Sequence, residues 1–273
     1  MKKSRPCSAN SDEFRPRMEL MLALQHQIAA SRRGPNEFIE FCFTDPVGRA
    51  IQQAPFHRDL QLFLTAHRKA LIELPRDHGK STQVCGRILW ELGHRPNLRV
   101  KLVCSTDALA AERTRFLRDA IKANRYLRMV FPYLLPAQPW AADAFTVERP
   151  ADVIGPSVAA FGVGSGSTGA RADLLVCDDV VDVAAVASKA ERDKVTGFFH
   201  DNLLNLLEPD GRFWGLFTPW REQKNCHNRQ TRIVKHETWL SALISRRNEH
   251  STARVLPARL PTWPCHLRSS CGR

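Results

Sequence analysis

The run Leu74-Pro75-Arg76-Asp77-His78-Gly79-Lys80-Ser81-Thr82 sets a glycine, a lysine and a pair of hydroxyls in immediate succession. That order suits a triphosphate. Gly79 allows a tight turn with backbone N–H groups facing inward, Lys80 supplies a point charge for the β- and γ-phosphates, and Ser81 can ligate Mg²⁺. A helix starting just after the turn would add the positive end of its dipole. The usual pattern, G-x-x-x-x-G-K-[ST], has Leu74 in place of its first glycine. Pro75, Arg76, Asp77, His78, Gly79, Lys80, Ser81 and Thr82 are thus the candidate nucleotide-binding residues. The plain alternative is a strand-to-helix turn with a solvated lysine.

A second signal is Asp178-Asp179, closing the apolar run Leu174-Leu175-Val176-Cys177. Adjacent carboxylates there suffer desolvation and mutual repulsion, so a neighbouring cation is expected. Asp178 is assigned to the Mg²⁺ shell and Asp179 to the base that polarises an attacking water. Arg76 can stabilise charge on the γ-phosphate, and reads equally well as a surface arginine beside Asp77. Arg171, after the glycine- and serine-rich stretch 161–169, is placed to act on the nucleotide of a neighbouring copy in a ring. Gln61 offers its amide to an adenine edge, against the plainer reading of a glutamine on a solvated helix face. Asp173 and Asp182 read as a loop acid and a helix-region surface charge, and Trp214, Phe217 and Trp220 as core.

For the loop and the acid pair to meet, both must sit at the carboxyl ends of neighbouring strands. Apolar runs at 70–74, 100–104, 174–177 and 213–217 read as those strands. Helical patterns cover 11–33 (amphipathic), 37–43, 56–67, 82–92, about 106–124 with Thr106 or Asp107 as cap, and 188–208. Pro132, Pro136, Pro139, Pro150 and Pro156 mark loops, and Pro209-Asp210-Gly211 a turn. The alternation predicts an α/β fold of the P-loop NTPase kind, a mostly parallel central sheet flanked by helices. An N-terminal helical extension covers 1–55, the ATPase domain 56–222, and a basic irregular tail 223–273.

Composition is compatible with that plan. The chain has 273 residues, 43% hydrophobic and 25% charged, enough for a large packed core. A formal charge of +12 points to a polyanionic partner, DNA or RNA. The eight cysteines are scattered, and Cys104 and Cys177 fall inside apolar runs, as buried free thiols do. No apolar stretch approaches the length of a membrane span, so no membrane association is expected.

Taken together these pieces resemble the ATPase domain of large terminase subunits, the DNA-packaging motors of tailed phages and prophages. The matching residues are Phe56-His57 and Gln61, the loop from Pro75 to Thr82, and Ser105-Thr106. Further matches run from Gly169-Ala170-Arg171 to Asp178-Asp179 and over Phe217-Thr218-Pro219-Trp220. The family favours a phosphate loop without its first glycine and with an arginine near its start. The likeness spans residues 37–222. It implies hydrolysis of ATP with Mg²⁺ coupled to translocation of double-stranded DNA into a procapsid, in the bacterial cytoplasm and transiently at the portal. It also implies a homo-oligomeric ring working with the terminase small subunit and the portal. By the same likeness Lys80 and Ser81 bind phosphates and Mg²⁺, and Asp178 is the strand acid. Asp179 stands where many members carry glutamate, and Thr218 belongs to the motif coupling hydrolysis to movement.

Large terminases usually continue into a nuclease domain whose metals are held by several aspartates. Here the last aspartate is Asp210, and beyond Arg221 the only carboxylate side chains are Glu222, Glu237 and Glu249. No two-metal nuclease is expected from that set. The tail, with Cys226-His227, Cys265-His266 and Cys271, lacks the paired spacing of a zinc site and is expected to be truncated or frame-shifted and poorly ordered. Two rival readings stand beside the motor: a helicase-like P-loop ATPase acting on nucleic acid, and a degenerate, non-catalytic prophage remnant that binds DNA.

Overall fold

The computed structural model describes residues 11–45, 47–150, 152–165, 171–180, 189–218 and 232–234. Among the described residues eight strands form: β1 (Lys69–Glu73), β2 (Val100–Cys104), β3 (Pro136–Trp140), β4 (Ala144–Val147), β5 (Val158–Gly162), β6 (Ala172–Asp178), β7 (Leu207–Phe217) and β8 (Arg232–Val234). They build one sheet in the order β3-β4-β5-β2-β6-β7-β1-β8. The five central strands, β5 to β1, are parallel, while β3, β4 and β8 run antiparallel to their neighbours. β2 and β6 are buried on both faces, which is why they are apolar almost throughout rather than alternating.

One face of the sheet carries α2 (Pro35–Cys42), α3 (Pro55–Ala66), α4 (Lys80–His94), α5 (Asp107–Ala123) and α6 (Arg125–Val130), all contributing to the main core. Gly86 lets α4 approach α2 closely, since a Cβ there would lie 2.9 Å from Ile39 Cγ1. On the other face α7 (Lys189–Phe198) continues through a π-helical turn (Phe199–Leu203) into a last turn (Leu204–Leu206). There Phe199, Leu203 and Leu206 pack on Val103, Leu175, Cys177 and Phe213. Cys42, Cys85, Cys104 and Cys177 are free and buried. Burial, reinforced by the Asp178 charge, pushes the Cys104 thiol up to about 12, so it serves as a small neutral packing group.

Several sequence expectations are corrected. The proline-rich stretch read as loops contains β3, which tolerates Pro136 and Pro139 because it is the sheet's edge, and β4 beside it. Pro209-Asp210-Gly211 is not a turn ahead of the strand; it lies within β7, where the register to β6 shifts. The tail read as irregular supplies β8, paired with β1; its remainder, Asp182, Ser188 and Trp220 lie outside the described residues. α1 (Ser11–Arg33) spans the expected residues; Met18, Leu20 and Leu22 are exposed, while Leu24 and Ile28 are half-buried toward its C-terminal end. Among the described residues no helix is long and apolar enough to cross a membrane.

A buried ion cluster ties α3, α4 and β7 together. Arg87 Nε donates to Glu91 Oε1 (3.0 Å), as does Arg212 Nη1 (2.8 Å), while Arg87 Nη1 reaches the Gln61 carbonyl and Thr65 Oγ1. Burial alone would push the Glu91 carboxyl up, but the hydrogen bonds and charges of Arg212 and Arg87 hold it at about 2. A depressed folded-state value means stability that is present above the ordinary 4.5 and lost as pH falls toward 2. Glu91→Gln is expected to cost about 3 kcal/mol at neutral pH, because it strands the buried Arg87 charge. It should also flatten the acid limb of stability between those values, as read by urea unfolding at a series of pH values. An unchanged acid limb would remove Glu91 from this role.

Candidate active site

The strands that matter lie side by side: β1 leads into the loop, β7 ends at Phe217 next to Thr218, and β6 ends at Asp178 next to Asp179. Because all three are parallel, their carboxyl ends open on the same edge, the usual ligand edge of such sheets. Leu74 N–H still bonds the Phe217 carbonyl (3.3 Å), carrying β1 pairing to the brink of the loop. Then the chain turns through left-handed conformations at Asp77 (φ 62) and Gly79 (φ 65). Gly79 caps α4, and glycine meets that turn without the strain a Cβ would bring. His57 from α3 braces it, its Nε2 2.8 Å from the His78 carbonyl, with Phe56 packed against both imidazoles. Burial lowers the His57 pKa, which favours the neutral ring in that contact.

Lys80, the first residue of α4, is only 6% exposed. Its Nζ donates to Asp179 Oδ1 (2.8 Å) and Oδ2 (2.9 Å) and to Thr218 Oγ1 (2.6 Å). The Thr218 hydroxyl in turn donates to Asp179 Oδ1 at 3.0 Å. Asp179 holds φ 49, an uncommon value for a non-glycine residue that aspartate tolerates better than most, and its N–H is fixed by the Leu216 carbonyl. Backbone strain of this kind concentrates at functional positions.

Beside this triad, Asp178 is buried, with Oδ2 held by Arg113 Nε at 3.1 Å and Oδ1 without a hydrogen-bond partner among the described residues. Arg113 Nη2 also reaches Ser81 Oγ (3.3 Å), so Ser81 and Asp178 face the same few ångströms of space. The Ser81 hydroxyl and the Asp178 carboxylate, one oxygen of which has no hydrogen-bond partner among the described residues, make a hard-oxygen pair of the kind Mg²⁺ takes. Among the described residues no group of three or more His, Cys, Asp or Glu forms a protein-only metal site, so phosphate oxygens and water would complete the shell.

The remaining expectations divide. Arg76 and Asp77 are exposed on the loop, and Pro75, His78, Ser81 and Thr82 are part-buried along it. Gln61 is fully buried, its amide donating to the Gln83 carbonyl (3.2 Å) and side chain (3.1 Å). It is not on a solvated face; its bonds to Gln83 tie α3 to α4. Asp173 is not a loop acid but a β6 residue paired with Arg99 at 2.8 Å. Arg171 precedes β6, at the end of that strand opposite Asp178, roughly 20 Å off by strand rise, and does not join this chain's own cluster. Arg113 was not anticipated. Its only sequence trace is a charge flanking the buried stripe Ala110, Thr114, Leu117 and Ile121 of α5.

The fold is a mostly parallel α/β sheet flanked by helices, with a lysine, two aspartates and two hydroxyls gathered at its carboxyl edge. No protein-family model matches the chain. A curated relative, the large terminase subunit of Enterobacteria phage T3, is 27% identical over 129 residues, covering 47% of this chain and 22% of the relative. The likeness to phage large terminase subunits that the motifs carry is thereby shown, although the chain spans less than a quarter of that relative's length. Among solved structures, the HK97 bacteriophage large terminase is similar (16% identity, 68% of this chain and 37% of that one, TM-score 0.45). The Thermus phage P74-26 large terminase ATPase domain is also similar (18% identity, 68% and 70%, TM-score 0.42).

Proposed function

We propose that the chain is an ATP hydrolase, the motor region of a phage-type large terminase that drives duplex DNA into a procapsid. The observation that carries this reading is the convergence of Lys80, Asp179 and Thr218 from adjacent strand ends, with Ser81 and Asp178 beside them. Inward N–H groups of the loop and Lys80 bind the β- and γ-phosphates, and the start of α4 adds its dipole. Ser81 and Asp178 hold Mg²⁺, which when bound neutralises charge on the phosphates. Asp179 accepts a proton from the attacking water, and Arg76 steadies the γ-phosphate from the loop. Thr218, bonded to both Lys80 and Asp179, senses which of them is engaged and passes that to β7. Assembly as a homo-oligomeric ring with a small subunit and a portal belongs to the same proposal.

Titration of a fluorescent ATP analogue in Mg²⁺ against the full chain tests it. Saturable micromolar binding, competed by ATP, is expected, together with Mg²⁺-dependent phosphate release stimulated by duplex DNA and no strand separation. Absence of binding would favour a non-catalytic remnant, and strand separation a helicase-like enzyme; either outcome would displace the motor reading.

A further inference from the structure

The Arg113 guanidinium touches both Ser81 Oγ and Asp178, the protein groups assigned above to the metal. A guanidinium filling that gap and a metal ion needing oxygens at about 2.1 Å cannot share it. On the nucleotide-site reading, we propose that Arg113 is a resident cation that competes with the divalent metal for Ser81 and Asp178, and must leave before metal and nucleotide are seated together.

The surroundings explain why such a residue is kept and how it departs. Asp178 is 5% exposed and stands opposite Cys104 in the β2–β6 register, so before metal arrives it needs an opposite charge; an uncompensated buried carboxylate is strongly destabilising. Arg113 supplies that charge from a side chain still 25% exposed, with Nη1 already 2.9 Å from the exposed Glu112 carboxylate. Swinging outward onto Glu112 keeps the guanidinium paired. Metal loading therefore pays to break the Arg113 contacts, and the site resists filling by metal alone.

The test uses the full chain, Mn²⁺ as the probe and ADP as the nucleotide, with bound Mn²⁺ followed by its electron paramagnetic resonance signal. Arg113→Gln is expected to bind Mn²⁺·ADP about tenfold more tightly than the parent and to melt at a lower temperature when neither is present. Arg113→Lys, which keeps the charge, is expected to stay near the parent. Equal or weaker Mn²⁺·ADP binding by a folded R113Q would overturn competition and make Arg113 a support for the metal ligand instead. A second measurement needs no variant: phenylglyoxal labelling of Arg113, read by peptide mass, should speed up when Mg²⁺·ADP is added, and unchanged or slower labelling also overturns the proposal. If the parent binds no Mn²⁺·ADP at all, the nucleotide-site reading fails and takes this inference with it.

Discussion

Asp179→Asn is expected to lower ATP turnover by about a thousandfold while leaving nucleotide affinity equal to the parent's or tighter. Asparagine matches aspartate in size, keeps an oxygen for the Thr218 hydroxyl, and tolerates the left-handed backbone at this position, so the local fold should survive. What it cannot do is take a proton from water. It also releases Lys80, whose Nζ spends two hydrogen bonds on this carboxylate, and a freed ammonium is better placed to meet phosphate. Loss of turnover with retained or improved binding separates the chemical step from the binding step. Single-turnover phosphate release and equilibrium binding on the same preparation make the comparison. If D179N hydrolyses ATP at the parental rate, the proton acceptor lies elsewhere and the assignment of the acid pair collapses.

Which parts of this arrangement were readable beforehand follows from how far each signal reaches along the chain. Four of the five central strands, β1, β2, β6 and β7, announced themselves as continuous apolar runs, whereas β5 went unread because its end, Phe161-Gly162, merges into the glycine- and serine-rich stretch. Thr106 was visible as a cap because its partner is Leu109, three residues away. The positions of the loop and the acid pair at neighbouring strand ends were legible for a similar reason, since each is a few consecutive residues following an apolar run. β3 and β4 escaped notice because proline is a break signal everywhere except on an edge, and edge status is a property of the assembled sheet. Gln61 and Asp173 were misplaced by their polarity: each is buried or half-buried with a partner distant in sequence, and nothing local reveals Gln83 or Arg99. Arg113 is the extreme case. Its contacts lie 32 and 65 residues away, and its neighbours Arg115 and Arg118 make it look like one more charge on a basic helix.

The hydrogen-bond pattern around Lys80 also suggests why Thr218 stands where it does. All three Lys80 donors are spent on Asp179 and Thr218, so a phosphate that captures Lys80 must loosen both other members at once. Asp179 sits beyond the end of β6 and Thr218 beyond the end of β7, strands already paired along their length. A change in occupancy is therefore felt at the tips of two neighbouring strands without disturbing the sheet behind them, where close packing resists gradual deformation.

Lys80→Ala is expected to weaken ATP binding by about a hundredfold, at the scale of a charge-assisted hydrogen bond or two. Turnover should fall further, by about a thousandfold, because a buried donor aimed at developing charge counts for more in the transition state than in the ground state. The ammonium is 6% exposed, so solvent offers no substitute once it is gone. Its removal should nonetheless cost little in folding. Asp179 is left 36% exposed and still bonded to Thr218, and a half-solvated carboxylate finds water readily. A melting temperature within a few degrees of the parent's would thus accompany the lost activity, and calorimetry of nucleotide binding would read the affinity. Lys80→Arg sharpens the result. Charge is preserved, but a planar guanidinium cannot occupy the volume in which Nζ meets three oxygens at 2.6 to 2.9 Å. If K80R works nearly as well as the parent, position 80 needs only a positive charge, and the point geometry on which the phosphate loop rests is wrong.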